Sequence, residues 1–297
     1  MRARIASCAV VLGVVVASAA SSACGGGPPA PASSPATAGT AAPVTRLTKT
    51  LPAVGSTSHV REHNESQLEM DVTVDGATQH SSEPSVETID YRSEVLAVGG
   101  DGAPTRVRVA YAANHKQSPG KGVVASPVEG KAYVVEGNGA KVPTSIVDAN
   151  GKPASAGEVE VIGRDFKYLG RVDPSWRALP EQLPAIGTPS DALGKALMLD
   201  GASEGLESAQ VRFAGTRDVP EGPAATFAVE MTGKLFGETR TTIKGTVTVL
   251  LASGQEAESD ANAPLEMAEK GSKDGKTFSI AAHGAIHFHK ETTYSTR

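Results

Sequence analysis

The chain has little cysteine: two in 297 residues, too few for a disulfide framework. Aromatic residues make up only 4% of it, so any core must rest on aliphatic side chains. There is no basic block either. Against 28 Lys and Arg stand 33 Asp and Glu, a net charge of −5, which excludes a nucleic-acid binder of the usual kind, since that needs clustered positive charge. Charged residues are 21% of the chain, too few for a charge-rich disordered protein. Nothing beyond residue 45 is long and apolar enough to cross a bilayer as a helix, which takes about 20 residues.

What is present first is an address. Arg2 and Arg4 precede an uncharged Val- and Ala-rich stretch from Ala9 to Ala20, too short to span a membrane, so residues 1–23 read as an export signal. Ala17-Ser18-Ala19 fits the small-x-small site of ordinary signal peptidase. Ser21-Ser22-Ala23-Cys24 resembles a bacterial lipobox, although Ser21 stands where that pattern prefers Leu. Cysteine parity favours the second cut. Cys8 is lost with the signal, and ordinary cleavage would leave Cys24 as a lone thiol in an oxidising compartment, whereas lipidation consumes it. The uncharged Gly, Pro, Ala, Ser and Thr residues that follow can bury no core and read as a tether. The expected organisation is signal 1–23, lipidated Cys24 with a disordered tether over 24–54, and one domain over 55–297.

The body reads mainly as strands. Leu68, Met70, Val72 and Val74 alternate with polar residues, the period of a half-buried strand. Val95–Val98 and Arg106–Tyr111 flank a Gly-rich turn, and Ala132–Glu136 pairs with Lys141–Val147 across Gly137-Asn138-Gly139. The period changes over 158–200: Val159, Ile162, Phe166 and Leu169 suit a short helix, and a second is expected from Thr188 as N-cap with Pro189 at its first position. Strands return at Ser208–Thr216, Ala225–Thr232, Glu238–Leu251, Leu265–Glu269 and Thr277–Thr293. Short Gly-containing turns imply antiparallel neighbours. The fold class is therefore mainly β (α+β): a curved antiparallel sheet or incomplete barrel with a short helical insert packed on it.

Several patterns suggest chemistry. Gly201-Ala202-Ser203-Glu204-Gly205 matches a nucleophile elbow, but it follows a helix and precedes a strand, the inverse of the required context. Asp148-Ala149-Asn150-Gly151 lacks the spacing of a calcium loop and reads as a turn. The acids of Glu256–Asp260 read as a solvated strand end. His283, His287, His289 and Glu291 are the sharpest set: on a strand they share one face, and two imidazoles with a carboxylate could hold Zn²⁺ or Cu²⁺. The competing reading is a polar strand face backed by Ile286 and Phe288. No nucleophile–base pair or paired-acid site emerges, so an enzyme is not expected.

Signal, Cys24 and tether together resemble the layout of bacterial envelope lipoproteins. Glu94–Val98 before a Gly turn, Val128–Tyr133, and Asp165-Phe166 ahead of the helical insert resemble the uncharacterised β-rich members of that group. The resemblance implies a lipid-anchored protein outside the cytoplasm whose partners are the membrane and either an apolar ligand or an envelope protein, held in the concavity of the sheet, with no cofactor. A metal-binding envelope protein using the histidine set is the alternative.

Overall fold

The structure, a computed structural model, describes residues 46–82, 84–199, 205–234, 240–273 and 276–295. Cys24 and the expected signal and tether up to residue 45 lie outside the described residues, as do positions 201–204 of the elbow-like motif. The first strands are β1 (Thr57–Val74), β2 (Ala77–Ser82), β3 (Ser85–Val98), β4 (Pro104–Ser118), β5 (Gly122–Ala125), β6 (Ala132–Glu136) and β7 (Ser145–Asp148). Among the described residues three helices follow: α1 (Ala156–Asp165), α2 (Pro174–Ala178) and α3 (Asp191–Leu199). The chain then returns to strands β8 (Leu206–Val219), β9 (Gly222–Gly233), β10 (Thr241–Leu250), β11 (Glu256–Lys273) and β12 (Lys276–Ser295).

The twelve strands of the described residues join one antiparallel sheet in the order β7-β6-β4-β3-β1-β12-β11-β10-β9-β8, with β2 beside β1 and β5 beside β4. The sheet is open, with β7 and β8 at its edges. Its two halves, before and after the helices, meet where β1 lies along β12, from Thr57 opposite Ser295 to Val74 opposite Phe278.

The long central strands depart from the expected boundaries. β1, β11 and β12 run to 18, 18 and 20 residues, beyond the usual span of about 3–10. Only Leu68–Val74 of β1 and Leu265–Glu269 of β11 carry the apolar alternation that marks a strand. The first half of β1 does alternate in burial, but its inward positions include Glu62, Asn64 and Ser66, which look like surface. In β11 the inward residues Ala257, Ser259, Ala261 and Ala263 are fully buried yet too small to signal it. Pro264 is tolerated inside β11 because the pairing with β10 stops at Asn262, which leaves its missing N–H on an unpaired side.

One face of the sheet carries the helices and two separate cores. On the first half, Ile162 of α1 and the following Phe166 and Leu169 cover Tyr91, Val109, Tyr111 and Tyr133. On the second, α2 and α3 lay Trp176, Leu179, Leu193 and Leu197 over Phe213, Phe227, Val229 and Val247. Helix α3 starts at Asp191, not at Pro189 as the capping pattern suggests. Thr188 O and Ser190 N are hydrogen-bonded to Phe213 N and Val211 O of β8, so 188–190 runs extended along that edge strand before the helix can begin. Gly194 lets α3 approach so closely that an added Cβ would stand 2.6 Å from Ala209 O.

The body also begins earlier than residue 55. Leu47 is fully buried in the second core, and its N–H donates to Glu181 O at 2.8 Å, followed by Thr48 N to Leu251 O at 2.7 Å. Residues 46–52 are thus held by backbone hydrogen bonds and one apolar anchor, which a purely compositional boundary overlooks.

Candidate functional site

A cavity of about 300 Å³ lies between the helices and the second half of the sheet. Its wall is apolar: Leu193 and Leu197 come from α3, Trp176 and Leu179 from α2 and its C-cap, and Val229, Val247 and Val249 from the strands. Leu51 and Pro52 of the early segment close one side. The helix hydrophobes point inward because α3 places Leu193 and Leu197 four apart, on one face. The lining also has polar members, Arg171, Asp173, Gln255, Glu256 and Tyr294. Arg171 is steadied by stacking 4.0 Å above the ring of Tyr168.

Glu256 and Tyr294 of this lining also belong to a charged seam between the two cores. Glu62 of β1 stands opposite Lys290 of β12 on the helix-bearing face. Lys290 Nζ is 3.1 Å from Glu256 Oε1, with the two side chains 32% and 15% exposed. Tyr294 donates its hydroxyl to Glu256 O at 2.9 Å. Burial pushes the Glu62 carboxyl above the ordinary carboxylate range, with Lys290 opposing but not cancelling the shift. Burial works to lower the Lys290 ammonium, but Glu256 and Glu62 outweigh it, so its proton is held more tightly than in water. Near the end of α1, Asp165 accepts from Tyr111 OH at 2.8 Å and from Arg164 Nε at 3.0 Å. Its carboxyl is also raised by burial, which Arg164 and Tyr111 only partly offset.

The candidate metal ligands lie on the opposite face of the sheet, and the structure divides them. His283 pairs with Glu69 at 2.9 Å and sits four residues, roughly 13 Å, along the strand from His287. His287 Nε2 and His289 Nδ1 instead share the carboxylate of Asp260, at 3.3 and 2.9 Å. Glu291 Oε1 is 3.4 Å from His289 Nε2. Burial alone would lower the His289 imidazole, but hydrogen bonds to Asp260 and Glu291 and their charges carry it above its ordinary value. Glu258, Asp260 and His289 each offer one ligand atom within 4.8 Å of the others. Two of these three residues belong to the stretch read from sequence as a solvated strand end. No local pattern could have revealed them, because their meaning depends on the register that sets Asp260 opposite His289.

The Asp148 turn and the other histidines resolve simply. Asp148 Oδ1 accepts from Asn150 N and Lys152 N, an Asx-type turn. His59, His63, His80 and His115 each pair with a carboxylate: Asp90, Glu65, Asp71 and Glu129. Among the described residues no helix is long and apolar enough to cross a membrane.

No protein-family model matches the chain, and no curated protein matches it. Similarity to solved structures is distant. DynF from the dynemicin biosynthesis pathway of Micromonospora chersina is 9% identical, with 89% of this chain and 92% of its own covered, at a TM-score of 0.19. A DUF1329 family protein from Desulfovibrio piger is 12% identical, with 76% and 83% covered, at a TM-score of 0.15. At such scores neither likeness bears on ligand or activity.

Proposed function

We propose that the chain is a non-enzymatic protein of the bacterial envelope, tethered to the membrane through lipidated Cys24, that holds an apolar ligand between α2, α3 and the sheet. The observation that carries the ligand reading is the cavity: about 300 Å³ with a wall largely of Leu, Val and Trp side chains and a smaller set of polar groups. That volume is at the lower end of the roughly 300–1,000 Å³ of small-molecule sites, enough for one apolar chain or ring system. An apolar body would lie along Leu193, Leu197 and Val229, and a polar end would face Arg171, Gln255 and Tyr294. The tether reading rests on the signal, Cys24 and the uncharged segment after it.

The test starts from the full chain extracted from membranes in mild detergent. Lipid mass spectrometry should find about one non-covalent apolar ligand per chain, and intact mass should show a diacylglyceryl adduct on Cys24. Leu197→Trp fills the cavity and should remove the non-covalent ligand while the protein stays folded. Ligand occupancy that is absent in the parent, or unchanged in the Trp variant, overturns the cavity reading. A mature chain without the adduct overturns the tether.

A further inference from the structure

The sheet face opposite the helices holds a second constellation, separate from the cavity. Strands β11 and β12 set Asp260 opposite His289 and Glu258 opposite Glu291, so all four side chains project from one face. Ligand atoms of Glu258, Asp260 and His289 lie within 4.8 Å of one another, and His289 Nδ1 to Asp260 Oδ2 is 2.9 Å. Tetrahedral Zn²⁺, with bonds of about 2.0–2.1 Å, keeps its ligand atoms roughly 3.4 Å apart. Side-chain rotations of a modest size therefore suffice to seat an ion.

What distinguishes this cluster from scattered surface acids is that each member is oriented by a further group. His287 Nε2 holds the other oxygen of Asp260 at 3.3 Å. Glu291 faces the other nitrogen of His289 at 3.4 Å, the carboxylate–imidazole arrangement that fixes the ring of a metal-ligating histidine. Arg217 holds Glu258, and it also donates to Thr248. The side chains are only partly open to solvent, 28% for Glu258 and 19% for Asp260 with 31% for His289. Charge is balanced as well: a divalent ion with Glu258, Asp260, Glu291 and Arg217 sums to neutral. Imidazole with carboxylate, and no thiolate, suits zinc or copper over the all-oxygen preference of calcium and magnesium.

We propose that Glu258, Asp260 and His289 bind one Zn²⁺ on this face, with His287, Glu291 and Arg217 as positioning residues and the fourth coordination position open to water. The site pins the outer ends of β11 and β12 together, and it is independent of the ligand cavity on the other face.

Zinc alone is the probe. The full chain, stripped with EDTA and dialysed against Zn²⁺, should retain about one ion per chain by elemental analysis. Asp260→Asn and His289→Ala should each abolish retention, and Glu291→Gln should weaken it by about tenfold or more. His283→Ala should leave it unchanged. X-ray absorption at the zinc edge should show nitrogen and oxygen neighbours without sulfur, which separates this site from binding by any unprocessed cysteine thiol. Circular dichroism of each metal-free variant checks folding, and Glu291→Gln, which removes no ligand, carries the test if His289→Ala unfolds. No retained zinc in the parent, retention undiminished in Asp260→Asn, or sulfur in the coordination sphere overturns the proposal.

Discussion

Lys290 is ion-paired with Glu256 and its charge also acts on Glu62 across the seam, and replacing it tests how the two cores are joined. Lys290→Met keeps the length and apolar stem of the side chain and deletes its charge. Removing one partner of a buried ion pair costs about 3–5 kcal/mol, because the remaining charge is left desolvated. Lys290 retains 32% of its exposure, so the lower end, about 3 kcal/mol, is expected. For a body of this size that lowers the melting temperature by about 6–12 °C. The pH dependence identifies the cause. Glu62 already has a folded-state pKa above its unfolded value, so its contribution is favourable below the unfolded pKa and is lost as pH rises through the folded one. Without Lys290 the folded pKa rises further, so the penalty should be full near neutral pH and shrink toward about pH 4 as Glu62 takes up its proton. Adding Glu62→Gln to Lys290→Met should recover part of the loss at neutral pH. Urea denaturation across pH 4–8 is the assay. A penalty that is the same at both ends of that range, or that Glu62→Gln does not touch, would mean that Lys290 contributes packing and not charge compensation.

The seam also shows why parts of this protein were legible in the sequence and parts were not. Period-two alternation found the strands whose inner faces are Val, Leu, Phe and Tyr, as in β4, where Val107, Val109 and Tyr111 are all buried. It missed the first halves of β1 and β11, where inner positions are Glu62, Asn64 and Ser66 or mostly plain alanines. Ser66 and Ser85 satisfy each other with a 2.7 Å hydrogen bond, a pairing that becomes readable only once β1 and β3 are aligned. The helical insert was legible because its apolar spacing is local. Its exact start at Asp191 was not, since edge-strand pairing by residues 188–190 overrides a good capping pattern. The same rule governs the sites. His287, His289 and Glu291 share one strand and could be seen together, whereas Asp260 and Glu258 enter from the neighbouring strand and needed its register.

Two further outcomes follow from local contacts. Glu158 accepts from Lys131 Nζ at 2.8 Å, Tyr133 OH at 2.6 Å and Ser155 N at 2.7 Å, and these bonds hold its carboxyl well below the ordinary range. Glu158→Gln should lose about 1–3 kcal/mol at neutral pH; with a depressed folded pKa the difference must fade as pH falls below about 4.5, and a pH-independent difference in urea melts would refute the charge argument. The second outcome concerns where the tether ends. Leu47 is fully buried in the second core, so Leu47→Ala should cost about 2–5 kcal/mol as a cavity-forming core substitution. Deleting residues 25–44 while keeping Cys24 should leave the melting temperature unchanged, because that uncharged, proline-rich stretch has no aromatic and only one large aliphatic side chain, too little to offset its ordering entropy. Differential scanning calorimetry of both variants places the boundary. A deletion that lowers the melting temperature by several degrees would mean that the segment packs on the body, and a neutral Leu47→Ala would mean that the strand-like contacts of Thr48 and Thr50, and not the buried leucine, hold the start of the domain.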